Sequence, residues 1–126
     1  MAQYQLHHIH HEAADVDAAV QFYTKNFAAT LAERTERHGV QWARVALGDV
    51  LLNITDRATT QMDLGRYQGL DHFAIHTSNF DETVAILKAN GVHFWEEPTS
   101  PRAGVKIAFI AGPDNIKIEL IHIGQA

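Results

Sequence analysis

The residues best suited to chemistry in this chain are its histidines, and four of the nine lie in Leu6-His7-His8-Ile9-His10-His11. At the two-residue period of a strand, Leu6, His8 and His10 share one face and His7, Ile9 and His11 the other. A core strand would carry Val, Ile or Leu there. Imidazole is a common ligand of divalent metals and exchanges protons near neutral pH. The run is broken by Ile9 and followed by a helix start, so it reads as part of the fold and not as a tag.

A second histidine stands at the matching place 64 residues on. With that offset Leu70-Asp71-His72-Phe73 falls on Leu6-His7-His8-Ile9, Asn79 on Asp15, Asp81 on Asp17, Val84 on Val20 and Asn90 on Asn26, without a gap. The chain is two copies of one module. The last strands of the copies read Val50-Leu51-Leu52-Asn53-Ile54 and Ile116-Lys117-Ile118-Glu119-Leu120, which sets Asn53 opposite Glu119. A strand histidine by itself is an ordinary hydrogen-bonding residue. Two symmetry-related histidines with a carboxylate flanked by Ile118 and Leu120 are another matter. His8, His72 and Glu119 suit a facial site for one divalent metal ion (Fe, Mn, Ni, Co or Zn), with Asn53 as a weak fourth ligand through its carbonyl.

The elements that must position these groups follow from the pattern. Asp15 is an N-cap for a helix over about Val16 to Asn26, with Val16, Ala19, Val20, Tyr23 and Phe27 as its apolar stripe. Leu31 to Glu36, Val40 to Leu47 and Val50 to Thr55 read as strands, separated by turns near His38-Gly39 and Gly48-Asp49. The second copy repeats this, with a helix from Asn79 to a stop at Gly91 and strands near Val92 to Glu96, Lys106 to Ile110 and Ile116 to Ile121. The expectation is one α+β domain over residues 1–126, built of two tandem βαβββ modules (about 5–55 and 70–123) joined by a connector at about 56–69.

Bulk composition narrows the function. With 126 residues and 46% apolar content the chain suffices for one domain with a core. A net charge of −5 with scattered charges indicates no nucleic-acid partner and no polybasic membrane patch. The absence of cysteine excludes a thiolate nucleophile and Cys-ligated zinc. No signal-peptide layout or membrane-length apolar run is found, and a cytoplasmic protein is the expectation. Exposed sheet edges and an apolar back suggest a homodimer.

The module pair, Phe22-Tyr23-Thr24-Lys25, Leu70-Asp71-His72 and above all Ile107 to Leu120, with its Gly112-Pro113-Asp114-Asn115 turn leading to Glu119, resemble the vicinal oxygen chelate superfamily. This is the group of glyoxalase I, bleomycin-resistance proteins and extradiol dioxygenases. The resemblance implies a cup of curved mixed sheets holding a metal on His8, His72 and Glu119. It also exposes a departure: glyoxalase I carries a second glutamate at the place of Asn53, and an amide is no general base at neutral pH. Glyoxalase I activity proper is therefore not expected. Three ligands of this type also resemble manganese-dependent fosfomycin-resistance thiol transferases and iron(II) extradiol dioxygenases.

Other residues fill in the site. His10 and His76 share the parity of the proposed ligand histidines and are candidate acid–base groups, His10 being the nearer and His76 a candidate for substrate binding as well. His7, His11 and His122 face away by parity. Arg44 and Trp42 on one strand face, with Lys117 as a second cation, are candidates for substrate binding, and Thr99 to Gly104 has the Pro and Gly of a mobile lid. The leading expectation is a divalent-metal glyoxalase-like lyase or isomerase acting on a small substrate with vicinal oxygens through an enediolate-type intermediate. In it His10 shuttles the proton, Glu119 serves at the metal, and Asn53 orients water or substrate. The alternatives are an iron(II) extradiol-type dioxygenase and a non-catalytic small-molecule binding or resistance protein.

Overall fold

The computed structural model describes residues 1–124, and they fall into two compact units, residues 1–61 and the described residues from 62 onward. The boundary lies inside the segment expected to be the connector.

In the first unit β1 (His8–Glu12) leads into α1 (Val16–Phe27), followed by β2 (Thr30–Arg37), β3 (Val40–Leu47) and β4 (Val50–Thr55). The sheet order is β1-β4-β3-β2, with β1 parallel to β4 and the other pairs antiparallel. Asp15 caps α1, its carboxylate accepting the N–H of Ala18 at 3.1 Å. Val16, Ala19, Val20 and Tyr23 are buried on the inner side of α1, and Val45, Leu52 and Ile54 are fully buried in the sheet. The β2–β3 hairpin turns through His38 and Gly39, both at positive φ (54° and 82°), the backbone a two-residue primed turn demands.

The second unit repeats the order: β5 (Phe73–His76), α2 (Phe80–Ala89), β6 (Phe94–Arg102), β7 (Val105–Ala111) and β8 (Lys117–Ile123), in a sheet ordered β5-β8-β7-β6 with β5 parallel to β8. Asn79 caps α2 by accepting the N–H of Glu82, and Gly91 ends it, its N–H reaching the Lys88 carbonyl while that of Val92 reaches Leu87. The fold is thus α+β with two βαβββ modules.

Three element boundaries differ from expectation. Leu6, His7 and Leu70 to His72 precede their strands, so His72 sits one residue before the β5 ladder begins. The segment Thr99 to Arg102 is no lid; it is the end of β6, and only Ala103 and Gly104 turn. Pro98 and Pro101 fit there because β6 is an edge strand and its pairing with β7 is interrupted by register shifts, so an absent N–H breaks no obligatory ladder bond.

Candidate metal and substrate site

In the first unit the register pairs His8 with Leu51 and His10 with Asn53, and Asn53 in turn with Arg44. These residues, with Glu12, Thr55 and Trp42, form the sheet face opposite α1; the other face is apolar and buries His11, whose Nδ1 lies 3.3 Å from the Tyr23 hydroxyl. His8 is exposed, and its Nδ1 meets Nδ1 of His7 at 2.9 Å. His10 Nε2 lies 2.7 Å from Glu12 Oε2 and 2.8 Å from the Thr55 hydroxyl oxygen.

Glu12, which the sequence reading did not single out, organises this corner. It accepts from the Thr55 hydroxyl, from the backbone N–H groups of Arg57 (3.0 Å) and Ala58 (2.8 Å), and from the Arg57 guanidinium. Burial opposes the charged form, but the hydrogen bonds from Thr55, Ala58, His10 and Arg57 outweigh it and hold the Glu12 carboxyl at about 2, below the ordinary 4.5. Asn53 is 4% exposed and its Oδ1 accepts from Arg44 Nε at 2.8 Å. The Arg44 guanidinium lies 5.5 Å from the centre of the Trp42 ring and that of Arg37 5.0 Å.

The second unit holds a tighter arrangement. His72 Nε2 lies 2.9 Å from Glu119 Oε1 and its Nδ1 lies 2.7 Å from Asp71 Oδ2. Asp71 also takes a 2.8 Å bond from Lys117 Nζ and an ion pair from Arg66 at 3.7 Å. Lys117 is buried, its ammonium 4.0 Å from the centre of the Trp95 ring. Hydrogen bonds from Lys117 and His72 pull the Asp71 carboxyl down to about 2 from 3.8. Phe109 stands edge-on to His72 at 5.0 Å, opposite Glu119 in the β7–β8 register.

Both ring nitrogens of His72 therefore face carboxylate oxygens. A neutral imidazole has one N–H and satisfies one of them, so the other contact needs a second proton or a cation between Nε2 and Glu119. Two donors at right angles about a metal, each at ~2.1 Å, would be about 3.0 Å apart, which the 2.9 Å contact matches. The Asp71 carboxylate behind Nδ1 is the outer partner that orients a ligating histidine. The donor pair fits a divalent metal. Among the described residues no group of three or more His, Asp or Glu side chains is placed to hold a metal ion, and the donors that meet are the His72–Glu119 pair.

His76, grouped by parity with the ligands, is exposed at the end of β5; its Nε2 accepts the N–H of Ile123 at 3.3 Å and its ring stacks on His122 at 5.5 Å. His122 lies at the same strand end, with Nδ1 2.8 Å from the Thr77 carbonyl oxygen. The missed residues had signals in the sequence. Asp71 adjoins His72, and Glu12 falls on His76 by the 64-residue offset.

No helix among the described residues is long and apolar enough to cross a membrane. A probable lactoylglutathione lyase of Vibrio cholerae is 26% identical over 132 residues, covering all of this chain and 96% of that protein. A lactoylglutathione lyase of Arabidopsis thaliana is 27% identical over 93% of this chain, which spans only 44% of the plant protein. Among solved structures, a glyoxalase family protein from Enterococcus faecalis superposes with a TM-score of 0.77 at 23% identity, covering 93% of this chain and 96% of that one. Glyoxalase I from Leishmania major does so with 0.78 at 20%, covering 95% and 87%. The two repeated modules, the likeness of these folds and a family sequence model matching residues 5–120 lead to one assignment: the chain belongs to the Glyoxalase/Bleomycin resistance protein/Dioxygenase superfamily.

Proposed function

We propose that the protein is a divalent-metal-dependent lyase or isomerase of the glyoxalase type, acting on a small substrate with vicinal oxygens. The observation that carries this is the His72–Glu119 donor pair braced by Asp71. His72 and Glu119 hold the ion, with His8, the repeat-related histidine, as third ligand. A bound Fe, Mn, Ni, Co or Zn ion would supply Lewis acidity, polarising the substrate oxygens and easing loss of the adjacent proton. The relatives named lactoylglutathione lyase support a lyase, while Asn53 offers no second carboxylate for proton transfer.

The chain's own groups supply the rest. His10, fixed at Nε2 between Glu12 and Thr55, carries the proton, and its carboxylate partner stabilises the imidazolium formed on proton uptake. Arg44 and Trp42 give the first unit's polar face a cation on an aromatic wall for an anionic substrate. Lys117 acts from behind, through Asp71. The unpaired outer strands of each sheet support a homodimer. A second reading, an iron(II) extradiol-type dioxygenase, is favoured by the amide at Asn53, because two histidines and one carboxylate are the ligand set of such oxygenases.

Elemental analysis of protein purified without chelator is the first test, and near-stoichiometric metal that His72→Ala loses is the expected result. Solvent deuterium exchange into the α-position of 2-hydroxy carbonyl compounds under argon would then identify the lyase or isomerase. Oxygen uptake with catechols and no such exchange would identify the dioxygenase. Protein that binds no metal, and is unaffected by His72→Ala, would be a binding protein of this fold.

A further inference from the structure

The amide of Asn53 has only one orientation open to it. An amide has an acceptor end and a donor end, whereas a guanidinium only donates. The 2.8 Å bond from Arg44 Nε therefore fixes Oδ1 toward Arg44, since turning the amide would set one N–H against another. Arg44 is held in turn, directly opposite Asn53 in the β3–β4 register and beside the Trp42 ring. Nδ2 makes no hydrogen bond among the described residues, and no buried side-chain nitrogen or oxygen there lacks one, so Nδ2 keeps access to solvent on an otherwise buried residue. The residue stands beside His10 in the β1–β4 register, on the face that bears His8.

We infer that Asn53 is a fixed N–H donor to an anionic oxygen of a small carboxylate or 2-oxo acid substrate, and not a metal ligand, with Arg44 as its positioning residue. The carbonyl that would ligate a metal is committed to Arg44, and the free end of the amide is the end that recognises anionic oxygen. This deepens the proposed function and rests on it for the nature of the site; the direction of the amide rests on Arg44 alone. It makes the change from carboxylate to amide at this position a change of substrate chemistry. A glutamate there would repel the same oxygen.

Two titrations separate the possibilities. Co(II), followed by its visible absorption, reads the metal; oxalate, followed by calorimetry with and without Co(II), reads the donor. Asn53→Ala is expected to leave the Co(II) spectrum and affinity unchanged and to weaken oxalate about tenfold or more, the loss of one hydrogen bond to a charged group. Arg44→Lys keeps the charge that Arg44 offers an anion but loses the fixed Nε donor, so its oxalate loss comes through the Asn53 amide, and adding Asn53→Ala to it costs little more. A shifted Co(II) spectrum or a tenfold loss of Co(II) affinity in Asn53→Ala would overturn the inference. So would oxalate binding equal to wild type in both variants, additive effects in the double variant, or a wild type that binds no oxalate. If Asn53→Ala does not fold, Arg44→Lys decides by its own oxalate loss. If the wild type takes up no Co(II), the metal reading fails by itself, and oxalate titration of the metal-free protein decides the donor role by the same criteria.

Discussion

The two modules share a backbone plan and differ in what they attach to it. Each places a residue immediately before its repeat-related histidine that meets Nδ1: His7 against His8 at 2.9 Å, and Asp71 against His72 at 2.7 Å. Each therefore leaves Nε2 as the working nitrogen, but with unequal support. Asp71 is a carboxylate anchored by buried Lys117, whereas His7 is a neighbouring exposed imidazole. One position further across the sheet the copies diverge again. Asn53 faces Arg44 and Glu119 faces Phe109 at the corresponding register positions. Beside the Phe109 ring the Glu119 carboxylate meets no guanidinium among the described residues that would pair with it. An amide gains fixed direction from such a guanidinium. One copy thus emphasises a His72–Glu119 pair braced by Asp71, the other a polar face of His10, Glu12, Asn53 and Thr55. The second copy has Ala74, His76, Glu119 and Ile121 at those places.

The sharpest way to break this comparison is His72→Ala. It is expected to abolish stoichiometric metal, by more than the ~10- to 100-fold that outer partners of a ligand contribute, with elemental analysis as the readout. Asp71→Asn should fall within that ~10- to 100-fold range in metal affinity, while His7→Ala, at the matching place in the weaker copy, should stay within about twofold; competitive titration against a chelator checks both. Equal effects at the two positions would contradict the assigned asymmetry.

Glu12→Gln tests the polar corner through its pH dependence. The Glu12 carboxyl is held at about 2 against 4.5, so its contribution is fully present above about 4.5 and is lost as pH falls toward 2. Wild type should exceed Glu12→Gln by about 1 kcal/mol at pH 7, allowing for solvent screening. The urea midpoints should converge near pH 2. Asp71, held at about 2 against 3.8, follows the same sign over the narrower window from about 3.8 downward. The smallest effects belong to the helix caps: Asp15→Ala and Asn79→Ala should each cost about 1 kcal/mol by thermal unfolding. Asn79 should cost the more, because its amide also donates to Glu82 at 2.8 Å.

Much of this was legible along the chain because it is local or repeated. Caps at Asp15 and Asn79, the Gly91 stop and the hairpin turns are set within a few residues, and the doubled module shows itself as a constant offset. Prolines mark breaks in a sequence, so the pattern ends β6 near Glu96, and only the strand's place at a sheet edge makes Pro98 and Pro101 harmless within it. Parity separated His11 from His8 and His10, since alternation is fixed by backbone geometry. It says nothing of the partner His76 finds, the His122 ring tilted against it where the two strands end.

Sequence by itself thus determined the family's module, its copy number, the candidate ligands and the absence of a carboxylate at position 53. Tertiary structure decided which polar groups meet. Glu12 reaches Thr55 and Ala58, Lys117 reaches Asp71, and Arg44 fixes the Asn53 amide, all between strands or loops far apart in the chain. Such pairings depend on register, and register is set by the packing of whole strands; a residue's own neighbours do not encode it.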